Sequence, residues 1–227
     1  MSAINKPCMA AMDAVLSELG TKAARQKPVL RVVMGDACVH FDVVQGNYSG
    51  ASDRHLQSIA NACIAEILGD AKSSQIVRWQ LQPDLRHLLI SCIDSRDTAA
   101  VTQAAKRHGL QLHSLQPDFC VQWNQYASVL PARPCVFATV NEGYATVAYA
   151  QEGTIAALSS GPCFCGDNSL EDGRQKTLLT DERTDRLLAS LGQNPSAVSN
   201  FFLVTTAPEF IPGVSRWKAF GQCEVPR

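Results

Sequence analysis

The stretch CVFATVNEGYATVAYAQEGTIAAL, residues 135–158, decides the fold. It divides into three apolar runs, Cys135–Val140, Tyr144–Tyr149 and Thr154–Leu158, separated by Asn141-Glu-Gly143 and Gln151-Glu-Gly153. Valine, threonine, tyrosine and phenylalanine suit a pleated backbone, and the glycine in each break suits a tight turn. The stretch therefore predicts a meander of three short strands.

Upstream, Val29-Leu-Arg-Val-Val-Met34, the turn Gly35-Asp36 and the alternating run Ala37–Val44 predict another strand–turn–strand unit, with a further turn at Gln45-Gly46-Asn47. Leu56, Ile59, Ala60, Cys63, Ile64 and Ile67 then recur at helical spacing between a capping Ser52 and a stop at Gly69. Ile76–Leu81 and Arg86–Ile93 read as paired strands around Pro83-Asp84. Asp94 or Ser95 caps a helix that ends at Gly109. Leu110–Leu115 is a short strand, and Asp118–Val129 a helix stopped by Pro131.

Downstream of the meander, a polar loop spans Ser159 to Gln175. A helix capped by Thr180 or Asp181 runs to Gly192, Asn200–Thr205 is a last strand, and the tail after Pro208 reads as partly irregular. At the other end, Met9 to Leu19 carries apolar residues three and four apart, the pattern of an amphipathic helix. Two β-led blocks thus begin near Val29 and near Cys135, each with strands, glycine-bearing turns, and later a helix leading to a strand. The expected architecture is α/β, with mixed sheets flanked by helices. Residues 1–27 form an arm or helix, 28–131 a first half and 132–227 a second.

Among 227 residues, 46% are hydrophobic and 18% charged, the balance of a globular protein with a real core. Twenty Lys and Arg against 21 Asp and Glu leave a net charge of -1, which supplies no broad positive field for nucleic acid or anionic membrane. The nine cysteines are odd in number, and Cys38, Cys63, Cys92, Cys120 and Cys135 lie in apolar stretches, where a thiol acts as a small hydrophobe. No signal-peptide pattern and no apolar run of about 18 residues is present, so a cytoplasmic protein without direct membrane insertion is expected.

Leu112-His-Ser-Leu-Gln-Pro-Asp-Phe119, Trp123-Asn124 and the meander with its two Glu-Gly turns, preceded by Gly109-Leu110, resemble the middle of actin-like assembly-platform proteins. The families in view are the cytoplasmic domain of the type II secretion protein GspL and the type IV pilus protein PilM, over about Val29 to Gly161. The resemblance implies a degenerate actin-like fold of two ribonuclease-H-like halves. It also implies that the turns are where actin-like ATPases hold nucleotide: Gly35 and Asp36 in the first half, Asn141, Gly143 and Thr146 in the second. Glycine admits phosphate to backbone N–H groups, and an acidic residue orients Mg²⁺ or its water. Here Asn141-Glu-Gly143-Tyr-Ala-Thr146 departs from D-x-G-x-x-T by carrying asparagine where the metal favours aspartate, and the Gly35-Asp36 turn lacks a second glycine.

Other constellations are thinner. Cys163-Phe-Cys165 offers two thiols but no second pair for structural zinc. The histidines form no H-E-x-x-H, and neither a G-x-S-x-G elbow nor a P-loop occurs. Asp36 and Asp42, both assigned to the first hairpin, are the only beginning of a ribonuclease-H-type metal pair. The expectation is a non-catalytic scaffold or adaptor of a bacterial type IV pilus or type II secretion-like apparatus, with no cofactor. It would bind a protein partner of a membrane-associated assembly, sit peripherally at the inner membrane through that partner, and leave self-association open. The competing readings are an ATP-binding or ATP-hydrolysing actin-like protein using Mg²⁺, and a divalent-metal nuclease.

Overall fold

A computed structural model describes residues 12–19, 29–69, 74–141, 143–162, 173–194, 198–205 and 216–219. The meander forms as the apolar runs and their glycine turns predict. Strand β6 (Cys135–Asn141) pairs antiparallel with β7 (Tyr144–Gln151), which pairs antiparallel with β8 (Thr154–Pro162). Gly143 and Gly153 take φ of 77° and 75°, a left-handed conformation that glycine adopts without a Cβ penalty. β8 runs four residues past the expected strand, so Ser159–Pro162 extends the sheet rather than opening a loop. Its register against Tyr144–Val147 supplies the backbone partners. On the other edge of β6 lie two parallel strands, β9 (Phe201–Thr205) and then β10 (Trp217–Ala219), the latter in the tail read as irregular. The sheet order is β10-β9-β6-β7-β8. Helix α5 (Gly173–Ser190) begins before the expected cap at Thr180 or Asp181. Its Leu187 and Leu188 close a core with Val136, Val147, Leu203 and Trp217.

The first half is built differently. Strand β1 (Val29–Met34) pairs parallel with β5 (Gln111–Pro117), and these two make a sheet of their own. β2 (Val39–Gln45) pairs with β4 (His87–Asp94), and β4 with β3 (Gln75–Leu81), giving an antiparallel sheet ordered β2-β4-β3. The expected β1–β2 hairpin is therefore not formed. A 3₁₀ turn at Asp36–Cys38 separates the strands and sends β2 into the second sheet.

Helix α2 (Asp53–Leu68) covers that sheet through Leu56, Ala60 and Ile64, which pack on Val77, Leu88 and Ile90. Ser52 caps it, accepting from the His55 N–H, and Gly69 ends it. Asp94 likewise caps α3 (Ser95–Arg107) by accepting from the Arg96 N–H. Helix α1 (residues 12–19) lies against α3 and the parallel pair, with Leu16 beside Ala104, Ala105 and Leu110, and Asp13 bonded to Arg107. Helix α4 (Asp118–Tyr126) then leads into the second half. The halves share a core in which Met34, Phe41 and Leu89 meet Phe119, Trp123, Phe137, Ala148 and Ile155. Among the described residues no helix is long and apolar enough to cross a membrane.

Candidate functional site

The site lies where the first 3₁₀ turn, the start of α4 and the β6–β7 hairpin converge. A helix leaves its first N–H groups without intrahelical partners. α4 is preceded by Pro117, which provides no side-chain cap. The missing acceptor comes from 83 residues upstream: Asp36 Oδ1 accepts the Phe119 N–H at 3.0 Å. The other oxygen, Oδ2, accepts from Thr146 Oγ1 at 2.9 Å and Thr139 Oγ1 at 3.1 Å. Period two puts both hydroxyls there, since Thr139 and Thr146 are directly opposed in the β6–β7 register and so share a face. Asp36, Thr139 and Thr146 are all buried.

Beside this knot, the Asn141 side-chain amide donates to the Asp118 carboxylate. Burial pushes the Asp36 carboxyl up to about 6. The Phe119 N–H and the Thr146 hydroxyl oppose that rise, and Asp118 adds to it as a nearby like charge. Cys120, one turn into α4, is pushed up to about 12 by burial, with a smaller contribution from Asp36.

Of the five residues expected at the turns, the structure brings Asp36 and Thr146 into direct contact. It places Asn141 on the neighbouring Asp118 and Gly143 at the hairpin tip. Gly35 stands apart in role. Its φ of -58° is open to any residue, and an added Cβ would meet nothing within 4 Å. Sequence reading missed Thr139, Asp118 and the Phe119 N–H. Thr139 carried a signal, as the one polar residue in the apolar run Cys135–Val140.

A nucleotide phosphate does not fit this arrangement. It would need free donors, whereas both hydroxyls and the Phe119 N–H are directed at Asp36, and two carboxylates line the spot. The nuclease pair does not assemble either. Asp42 lies on β2, accepts from the Val43 N–H and adds to the rise that burial imposes on the Cys63 thiol of α2, while Asp36 faces the second half. Among the described residues no group of three or more His, Cys, Asp or Glu side chains is placed to hold a metal ion. Cys163, Cys165, Asp167 and Asp172 lie outside the described residues. Cys38, Cys63, Cys92, Cys120 and Cys135 are buried or half-buried, as expected for thiols in apolar stretches.

No protein-family model and no curated protein sequence matches the chain. Solved structures do. One is a chain of the PilM–PilN type IV pilus biogenesis complex, 13% identical, with a TM-score of 0.64 over 92% of this chain and 71% of that one. Another is the cytoplasmic domain of EpsL, an inner-membrane component of the type II secretion system of Vibrio cholerae. It is 10% identical, with a TM-score of 0.54 and the same coverage of 92% and 71%. A Bacteroides thetaiotaomicron protein of unknown function described as having an actin-like ATPase fold matches more remotely, 9% identical over 85% and 67% of the two chains, with a TM-score of 0.47. The chain is thus a mixed α/β protein, similar in fold to components of pilus and type II secretion assemblies.

Proposed function

We propose that this chain is a non-catalytic scaffold of a pilus- or secretion-type assembly, engaging a partner protein rather than turning over nucleotide. One observation carries the reading. The hydroxyl of Thr146, which a phosphate turn would present to nucleotide, is donated with that of Thr139 to the buried carboxylate of Asp36. The junction between the halves thereby serves as an internal clamp and not as an anion site. The fold supports the partner, because one similar structure is a subunit of a two-protein complex and the other the cytoplasmic part of an inner-membrane component. On this reading the chain works at the cytoplasmic face of a membrane through the protein it binds.

Isothermal titration with Mg-ATP is expected to give no binding heat. Purification with a subunit of a pilus or secretion apparatus should yield a complex free of nucleotide. Tight Mg-ATP binding that disappears in Gly143→Ala or Thr146→Ala would overturn the reading.

A further inference from the structure

The two halves contain the same parallel pair, completed in one and left incomplete in the other. In the second half, β6 has β9 parallel on one edge and β7 antiparallel on the other. Its residues Cys135–Val140 are buried without exception. In the first half, β1 has β5 parallel on one edge. The next segment, which in the second half returns as β7, is here diverted at Asp36–Cys38 into another sheet. Among the described residues no strand pairs with the other edge of β1.

The exposure matches this gap. Val29 is 59% and Val33 52% exposed, and Arg31 between them is exposed on the same face. Parallel strands are ordinarily covered on both faces. An apolar strand with an open edge is ready to pair with another chain. The far edge of the pair is less apt, since β5 exposes Gln111, His113 and Gln116 there rather than apolar residues.

A second copy of the chain suits this edge poorly. Antiparallel pairing of β1 with itself in the register that sets Val29 against Val33 also sets Arg31 against Arg31, and like charges directly opposed are unfavourable. Centring the pair on Val32 instead puts the guanidinium against Val33. An apolar–acidic–apolar strand satisfies all three positions at once.

Building on the scaffold reading, we infer that the open edge of β1 takes an extended strand from the partner protein, antiparallel to β1, with an acidic side chain opposite Arg31 and apolar ones opposite Val29 and Val33. Backbone bonds along the edge supply affinity, and alternate side chains supply specificity.

The test uses a blocked seven-residue peptide with threonine at odd positions and valine, glutamate and valine at the even ones, and a twin with lysine for glutamate. The wild-type chain is expected to bind the glutamate peptide about fivefold more tightly than the lysine one, and Arg31→Glu to reverse the order, as cross-strand charge pairs of this size allow. Amide hydrogen exchange in residues 29–34 of the wild type should slow on binding, with 201–205 unchanged. Binding indifferent to the charge, protection elsewhere, or no binding of either peptide at millimolar concentration overturns the proposal. A chain that fails these arms yet co-purifies with an apparatus subunit removes the strand while leaving the scaffold reading intact. Tight Mg-ATP binding removes the scaffold reading alone.

Discussion

Replacing Asp36 by asparagine tests the clamp at its centre. Asparagine keeps the shape of the side chain. Its carbonyl accepts the Phe119 N–H, and its amide donates to a threonine hydroxyl that turns to receive it. The protonated aspartic acid and the amide are then near-equivalent, so at low pH the two proteins should be about equally stable. The difference appears when Asp36 ionises. Its carboxyl titrates at about 6 in the fold against an ordinary 3.8, chiefly because burial penalises the charge.

A carboxyl raised by folding contributes stability that is fully present below 3.8 and is lost as pH rises through about 6. The gap between those values corresponds to about 3 kcal/mol, of which about 2 kcal/mol falls between pH 4.5 and 7.5. Asp94 runs the other way, held near 2 by Arg96, so its contribution is lost only as pH falls below the ordinary carboxylate range. Asp36 therefore dominates the window from 4.5 to 7.5. Urea unfolding read by the fluorescence of Trp123, which stacks on Phe119, gives both stabilities. Asp36→Asn should gain about 2 kcal/mol on the wild type between pH 4.5 and 7.5. Parallel pH profiles, or a variant that loses ground as pH rises, would refute the buried-carboxylate argument.

Asn141→Asp, which restores the acidic residue of a phosphate turn, should destabilise the fold at pH 7.5 by about 1–3 kcal/mol, because the new carboxylate meets Asp118. The loss should shrink in acid, and Mg-ATP titration should stay silent. Phe137→Ala removes a ring that meets Phe119, Trp123 and Tyr126 in the shared core, at a cost of about 3–5 kcal/mol in urea unfolding. Ser52→Ala should cost about 1 kcal/mol, seen as a lower melting temperature, by leaving the His55 N–H at the start of α2 uncapped. Gly109→Ala should cost about 1 kcal/mol by the same measurement. Gly109 has φ of 69° and nothing near its Cβ position, so the penalty is one of backbone conformation alone.

Local elements were legible because local physics sets them. Apolar runs broken by Glu-Gly turns in Cys135–Leu158 marked the meander, Ser52 and Asp94 marked helix starts, and Gly69 and Gly109 marked stops. The first hairpin misled because strand–turn–strand spacing says nothing about which edge a strand joins. Val29–Met34 and Val39–Gln45 are good strands by composition, but the 3₁₀ turn between them aims the second at β4. The candidate site was half legible for a related reason. Asp36 and Thr146 stood out by resemblance to phosphate turns. Their contact, and those with Thr139 and Phe119, bridge 83 to 110 residues and follow from tertiary packing alone.

One residue ties the altered hairpin to the altered site. A β1–β2 hairpin would leave the turn residue Asp36 at a solvent-facing loop, free to order a metal or its water. The 3₁₀ turn instead carries it under the second half, where it caps α4 and collects both hydroxyls of the β6–β7 hairpin. The same diversion strips β1 of its antiparallel neighbour and leaves Val29 and Val33 half-exposed. The contacts of Asp36 and the unpaired edge of β1 among the described residues thus both follow from the path the chain takes at Asp36–Cys38. Asp36→Asn, which leaves that path intact, should accordingly shift the pH profile of stability while leaving the Arg31 charge preference for peptide unchanged. A variant that altered both would show that the clamp sets the edge as well as the junction.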